Sequence, residues 1–106
     1  MPKTYQLPHS VYMIVKCICT DYDRRCVALK KGQISDSVRE EMERLNGVVD
    51  TSLTLVEEGI RREMLYDIIL GRGYDSSPAS AIISKNAFYL RKRQIVQNIA
   101  ETLSLI

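Results

Sequence analysis

The sequence predicts an all-α protein, and three observations indicate this class. Apolar residues recur every three or four positions over most of the chain, which is the spacing of one face of an α-helix. Alternation of apolar and polar residues, which is typical of a half-buried strand, extends over no useful length. The 106 residues are 45% hydrophobic and contain few glycines and prolines, so they predict one folded domain, residues 1 to 106, with a modest core.

The first half of the chain is predicted to form a long antiparallel helical hairpin over residues 8 to 56. Pro8 suits the first position of a helix, where its missing N–H is not needed. The stretch KKGQ can end that helix, Ser35 or Ser37 can cap the next one, and Gly47 leaves open a break inside it. The two apolar stripes are Val11, Val15, Ile18, Tyr22, Cys26 and Leu29, and then Val38, Met42, Leu45, Val49, Leu53 and Val56.

The second half, residues 59 to 106, is predicted to be a helix-turn-helix unit. A helix over residues 60 to 70 ends at a glycine, a proline opens a short helix over residues 78 to 82, and Ser84 caps a final helix over residues 85 to 103. In such a unit the last helix lies in the DNA major groove, with its first residues towards the base edges and its dipole towards phosphate.

Positive charge is concentrated in the same part of the chain. The formal net charge is only +2, but residues 84 to 106 contain four basic side chains against the single acid Glu101. A basic helix of this kind can attract phosphate. It can equally be an ordinary helix whose polar side chains face solvent, and the charge alone leaves both interpretations open.

A helical wheel at about 100° per residue separates the polar side chains of the final helix. With Phe88 pointing inwards, four side chains point roughly the opposite way: Asn86, Leu90, Arg93 and Gln97. Tyr89 and Arg91 lie on the two flanks. Asparagine suits adenine edges and basic side chains suit guanine or phosphate. The candidate DNA-binding residues are therefore Ser84, Lys85, Asn86, Tyr89, Arg91 and Arg93. Lys92 falls at the edge of the inward face, where its stem can pack.

The C-terminal half also resembles a known family. The link GRGYD-S-SPAS and the ending IS-x-x-x-FY-x-RKR…IA-x-x-L-x-LI are similar to those of small phage and prophage proteins described as sigma-factor-like, or as late-transcription regulators of the ArpU/RinA type. The resemblance covers residues 59 to 106 and implies a region-4-like helix-turn-helix that helps to switch phage genes. Ser84 matches the serine that opens the last helix, whereas Ala87 and Leu90 depart from the pattern. The exposed polar positions of the motif match Asn86, Tyr89, Arg91 and Arg93.

Other kinds of site have little support in the sequence. A zinc site of His9 with Cys17, Cys19 and Cys26 is disfavoured, because Cys17 and Cys19 would lie about 200° apart on one helix. We expect the three cysteines to be buried as small apolar residues, and their odd number favours a reducing compartment, the cytoplasm. No phosphate loop and no nucleophile with a base at a recognisable spacing is present, so we expect neither an enzyme nor a bound cofactor.

The function predicted from the sequence is therefore a DNA-binding transcriptional regulator of phage type, acting on duplex DNA. The alternative is an adaptor that binds RNA polymerase or a phage packaging component and has no DNA affinity of its own. In either case the long hairpin can join two copies in a homodimer, and no apolar segment is long enough to suggest a membrane span.

Overall fold

A computed structural model describes residues 7 to 106; residues 1 to 6 of the predicted domain lie outside this range. The described residues are helical and contain no β-strand, which confirms the all-α class. Three 3₁₀ turns lie between the helices, at Glu58–Ile60, Tyr74–Ser76 and Pro78–Ala81. The α-helices are α1 (His9–Thr20), α2 (Tyr22–Lys31), α3 (Asp36–Leu53), α4 (Arg61–Leu70) and α5 (Lys85–Thr102).

The helix boundaries follow the local signals in the sequence. Ser35, rather than Ser37, caps α3, with its hydroxyl accepting a hydrogen bond from the N–H of Val38 at 3.3 Å. Gly32 ends α2 in the left-handed conformation, with a φ of 72°. Helix α3 continues through Gly47, so the open question of a break there is answered: the helix is unbroken.

The first predicted helix is divided, which differs from the hairpin expected over residues 8 to 56. The chain bends at Asp21, between α1 and α2. The hydroxyl of Thr20 donates to the carbonyl of Lys16 at 2.7 Å, a side-chain bond that often bends helices. As a result α2 packs along α3, whereas α1 leaves that direction and packs against α4 and α5.

One continuous core joins α1, the second half of α3, α4 and α5. Its fully buried side chains come from both halves of the sequence, and Phe88 is the largest of them. Since α1 packs against α4 and α5, the N-terminal residues form part of the support on which α5 rests. The buried apolar residues are Val11, Val15, Cys19, Val49, Leu53, Val56, Ile60, Met64, Leu65, Ile68, Ala79, Phe88, Ile95, Val96, Ile99 and Ala100.

A thin arm projects from this core. We use the term arm for residues 26 to 45, which comprise most of α2, the connection, and the first half of α3. None of these twenty consecutive residues is buried. Val27 and Val38 are 53% and 42% exposed, and the other large apolar side chains of the arm are half-buried.

A polar cluster fastens the base of the arm. Arg25, only 3% exposed, donates from Nε to the Asn46 side-chain oxygen at 2.5 Å and from a terminal nitrogen to the Ile18 carbonyl at 2.5 Å. Burial lowers the pKa of this guanidinium below its usual value. Nearby, the Tyr22 hydroxyl donates to Asp50 at 2.5 Å, and burial together with this carboxylate raises the pKa of the phenol. These bonds connect α2 to both α1 and α3 at the point where the chain bends.

Candidate nucleic-acid interface

The connection from α4 to α5 begins with a tight glycine-containing turn. Gly71 ends α4 at a φ of 67°, and its N–H donates to the carbonyl of Asp67 at 2.7 Å. The carboxylate of the same Asp67 accepts a hydrogen bond from the N–H of Gly73 at 2.7 Å. Gly73 has a φ of 91°, and a Cβ there would lie 3.2 Å from the hydroxyl of Tyr89, so a side chain would be strained at this position.

Two tyrosines fix the rest of this connection to α5. The Tyr74 hydroxyl reaches the carbonyls of Ile83 at 2.6 Å and Ser80 at 3.1 Å, at the far end of the connection. The Tyr89 hydroxyl accepts a hydrogen bond from the backbone N–H of Tyr74 at 3.1 Å. Both rings lie edge-on to Phe88, with ring centroids 5.4 and 5.1 Å from it. Tyr89, a candidate groove contact from the sequence, is therefore half-buried and positions the turn.

Serine caps define the two helical segments after the turn. Ser77 accepts from the N–H of Ala79 at 3.2 Å and opens the 3₁₀ turn Pro78–Ala81. Ser84 accepts from the N–H of Ala87 at 3.2 Å and opens α5, so its hydroxyl is used as a helix cap.

A buried ion pair connects α5 to the end of α4. The Lys92 ammonium lies 2.9 Å from the Oδ2 of Asp67, a residue that is only 4% exposed. Within the described part of the chain, the Oδ2 of Asp67 accepts no hydrogen bond of ordinary geometry. The contact between Lys92 and Asp67 is therefore an electrostatic one. Lys92, the member of the RKR run that the wheel placed near the inward face, thus contacts α4.

Arg91 is also engaged inside the molecule. Its guanidinium donates two hydrogen bonds to the carboxylate of Glu57, at 2.8 and 2.9 Å, and so joins α5 to the segment before α4. The bonds from Arg91 lower the pKa of Glu57 to about 2. A phosphate could contact Arg91 only by competing with this carboxylate.

The remaining candidate side chains are exposed. Lys85 and Asn86 stand in the first turn of α5, and Arg93 stands two turns further along. Leu90 and Gln97, which the wheel placed on the outward side, are half-buried. Lys85, Asn86 and Arg93 are thus exposed to solvent on α5. Ser84, Tyr89 and Arg91 make the internal contacts described above.

The sequence reasoning missed two residues of this region. Arg72 is exposed in the turn between Gly71 and Gly73, and adds a cation to the connection that precedes α5. Asp67 organises that turn and pairs with Lys92. The available signal was an aspartate four residues before the glycine that ends an apolar helix, because a buried carboxylate there needs partners.

The cysteines do not follow their predicted burial. Cys19 is buried, and burial raises the pKa of its thiol to about 12. Cys17 and Cys26 are exposed, which corrects the expectation that all three are buried. Cys17 lies on the side of α1 away from the core, and Cys26 lies at the base of the arm. Within residues 7 to 106, no group of three or more histidine, cysteine or acidic side chains is placed to hold a metal ion.

No family model, curated protein or solved structure matches this chain. Among the helices described, none has the length and apolar character needed to cross a membrane.

Proposed function

We propose that α4, the following turns and α5 act as a helix-turn-helix unit that binds duplex DNA, with the first turn of α5 in the major groove. The observation that carries the proposal is the contrast within α5. Asp67, Tyr74 and Tyr89 fasten its start to α4, while Lys85 and Asn86 in the same turn remain exposed. A recognition helix needs a fixed orientation and accessible residues at its start.

Within this proposal the side chains have different tasks. Asn86 contacts base edges, and Lys85, Arg93 and Arg72 attract the phosphate backbone. Tyr89 orients the turn and makes no groove contact of its own. The proposed class is a phage-type transcriptional regulator acting in the cytoplasm, which agrees with the resemblance of residues 59 to 106 to sigma-factor-like phage proteins.

The direct test is fluorescence anisotropy with a labelled random-sequence duplex, titrated at several salt concentrations. Binding should weaken with a slope in log salt of about −0.9 for each phosphate contact. Lys85→Ala should reduce the magnitude of that slope by about one unit if Lys85 contacts a phosphate. Lys31→Ala, which removes the same charge from the arm, is the matched control and should leave the slope unchanged.

The choice of substitution on α5 follows from the contacts. Arg91→Glu would place a second carboxylate beside that of Glu57, and so would test stability as much as DNA binding. Asn86→Ala avoids this problem because the side chain is exposed, and Arg93→Gln avoids it because glutamine brings no negative charge. Binding that is equal for wild type, Lys85→Ala and Arg93→Gln, or no binding at low salt, would refute the proposal.

One observation favours a second function, a protein-interaction module. The arm displays apolar side chains that its own helices leave uncovered, which is common at protein-binding surfaces. RNA polymerase is the partner to test for a sigma-factor-like regulator. Retention on immobilised polymerase, lost on substitution within the arm and unaffected by Lys85→Ala, would support this function in place of DNA binding.

A further inference from the structure

We propose that a cleft between the start of α1 and the middle of α5 binds one nucleotide unit, with its phosphate on basic side chains and its base on tyrosine rings. Side chains from residues 7 to 12 line one side of this cleft, and side chains from residues 89 to 96 line the other. Its volume is about 630 Å³. Small-molecule sites range from about 300 to 1,000 Å³, so the cleft has room for more than a bare phosphate.

The lining side chains of α5 lie on one side of that helix. At about 100° per residue they fall within a sector of about 100°, and they are Tyr89, Lys92, Arg93 and Val96. Val96 is buried and belongs to the core beneath the cleft, whereas Arg93 is exposed. Leu7 adds a second apolar side chain from the chain segment before α1. The cleft therefore combines apolar, aromatic and basic groups, which is the usual make-up of a small-molecule site.

The charged side chains of the cleft are positive. Lys92 and Arg93 line it, and no carboxylate does so in the part of the chain that the structure describes. The ammonium of Lys92 contacts Asp67 at 2.9 Å, but an ammonium has three N–H donors, so this contact leaves two for a ligand. Helix α1 begins at His9 with no acidic residue in its first turn, so the positive end of its dipole adds to the attraction of an anion.

Two polar side chains of the cleft have no partner within residues 7 to 106. Neither the imidazole of His9 nor the hydroxyl of Tyr12 makes a hydrogen bond or an ion pair in this range. His9 is exposed to water, whereas Tyr12 is half-buried and packs against the core. The hydroxyl of a tyrosine in such a position usually finds a hydrogen-bond partner. Tyr12 is therefore available to donate to a ligand in the cleft.

These groups match the parts of a nucleotide. Lysine and arginine bind phosphate, and tyrosine rings stack on bases whatever their identity. The ring of Tyr89 is already held in place, because it packs edge-on to Phe88 and its hydroxyl accepts from the N–H of Tyr74. A fixed ring costs less to order on binding. A free mononucleotide and an unpaired nucleotide of a single strand present the same chemistry, and the experiment distinguishes these two sources.

The single histidine provides the measurement. His9 is the only histidine of the chain, so its imidazole resonances in a proton NMR spectrum report on this cleft. The full chain is titrated with deoxyadenosine monophosphate at constant pH and ionic strength, and the shift of the His9 resonances gives the Kd. The mononucleotide should bind more tightly than inorganic phosphate or deoxyadenosine, because only the complete nucleotide contacts both the basic and the aromatic side chains.

Substitutions in the cleft should weaken this binding. Arg93→Gln should raise the Kd about tenfold through the loss of a charge-assisted contact, and Tyr12→Phe about fivefold through the loss of a hydroxyl donor. Lys30→Gln and Tyr66→Phe remove the same kinds of group from exposed positions outside the cleft and should bind as wild type does. Lys92 is kept in all variants, because its loss would leave a buried carboxylate without its partner.

A short single strand of deoxyadenylate distinguishes the two sources of the nucleotide. Affinity beyond the statistical advantage of its several nucleotides would identify a strand as the ligand, and no gain would identify a free nucleotide. Three results would overturn the proposal: no shift of the His9 resonances with any probe at millimolar concentration, inorganic phosphate that binds as tightly as the mononucleotide, or equal binding by wild type, Arg93→Gln and Tyr12→Phe. Far-UV circular dichroism confirms that the variants are folded. Since no duplex is present, these outcomes are independent of whether the first turn of α5 binds duplex DNA.

Discussion

The polar cluster at the base of the arm allows a quantitative prediction about Asn46. Its side-chain oxygen accepts a hydrogen bond from the buried, charged Arg25 at 2.5 Å. Hydrogen bonds to charged groups are worth about 1.5 to 3 kcal/mol, and a buried charge left without its partner also loses solvation. Asn46→Ala should therefore lower the free energy of unfolding by about 2 to 3 kcal/mol, since Arg25 keeps only its contacts with Ile18 and Asp21.

The same reasoning predicts that removing both polar partners does less harm. In Arg25→Met combined with Asn46→Leu no charge is left unpaired, and apolar side chains fill the space. We expect this double variant to lie within about 1 kcal/mol of wild type, well above Asn46→Ala alone. The coupling between the two positions is then favourable and large enough to measure in a double-mutant cycle.

Urea denaturation followed by circular dichroism at 222 nm is the assay, with melting temperature as a second readout. A loss of 2 to 3 kcal/mol corresponds to a fall in melting temperature of roughly 10 °C or more for a domain of this size. Asn98→Ala is the matched control, because Asn98 donates to the neutral hydroxyl of Ser52 at 2.9 Å and should cost less. If Asn46→Ala costs less than about 0.5 kcal/mol, as surface changes do, the reasoning about the buried charge is refuted.

Three further predictions concern single groups. The low pKa of Glu57 stabilises the fold above its unfolded value of roughly 4.3, and this contribution is lost as the pH falls towards about 2. The difference in melting temperature between wild type and Glu57→Gln should therefore shrink over that range, and a constant difference would contradict the assignment. Cys19 is buried and its thiol has a pKa of about 12, so it should react with a thiol reagent only when the protein unfolds. Cys17 and Cys26 are exposed and should react at once. Equal reaction rates for all three cysteines would argue against the burial of Cys19. Gly73→Ala should lower the free energy of unfolding by about 1 to 3 kcal/mol, because Gly73 has a positive φ and the Tyr89 hydroxyl is close. Gly47→Ala should raise it by about 0.5 to 1 kcal/mol, because Gly47 lies inside a helix with open space around it. Changes of the same sign in urea denaturation would refute the comparison.

Local signals in the sequence were sufficient for much of the fold. Ser84 and Gly71 mark helix ends through hydrogen bonds and backbone angles that depend on near neighbours, and both lie where the pattern placed them. The bend at Asp21 escaped prediction because the apolar stripe continues across it without a change of phase. Whether a stripe is covered depends on distant elements, so periodicity could not show that Val38 is exposed while Val49 is fully buried.

In the candidate site, too, the sequence predicted some features and could not predict others. A helical wheel placed Asn86 and Arg93 outward on α5, and both are exposed, but it placed Leu90 and Gln97 outward as well, and both are half-buried. Arg91 is engaged by Glu57, which is 34 residues away in the sequence, and no spacing rule connects the two. Tyr89 contacts the backbone of the turn before α5, which depends on the path of that turn.

The uneven burial along the chain also has a consequence for motion. Amides open to hydrogen exchange at free energies that range from near zero to the full free energy of unfolding, according to how much packing an opening must break. In the arm an opening breaks no buried contact, whereas the second half of α3 is anchored by Val49 and Leu53. The amides of α3 should therefore exchange fast before Asn46 and slowly after it, although the helix is unbroken. Trypsin should find its first cleavage site at Lys30 and Lys31, where the chain can unwind while the core remains intact.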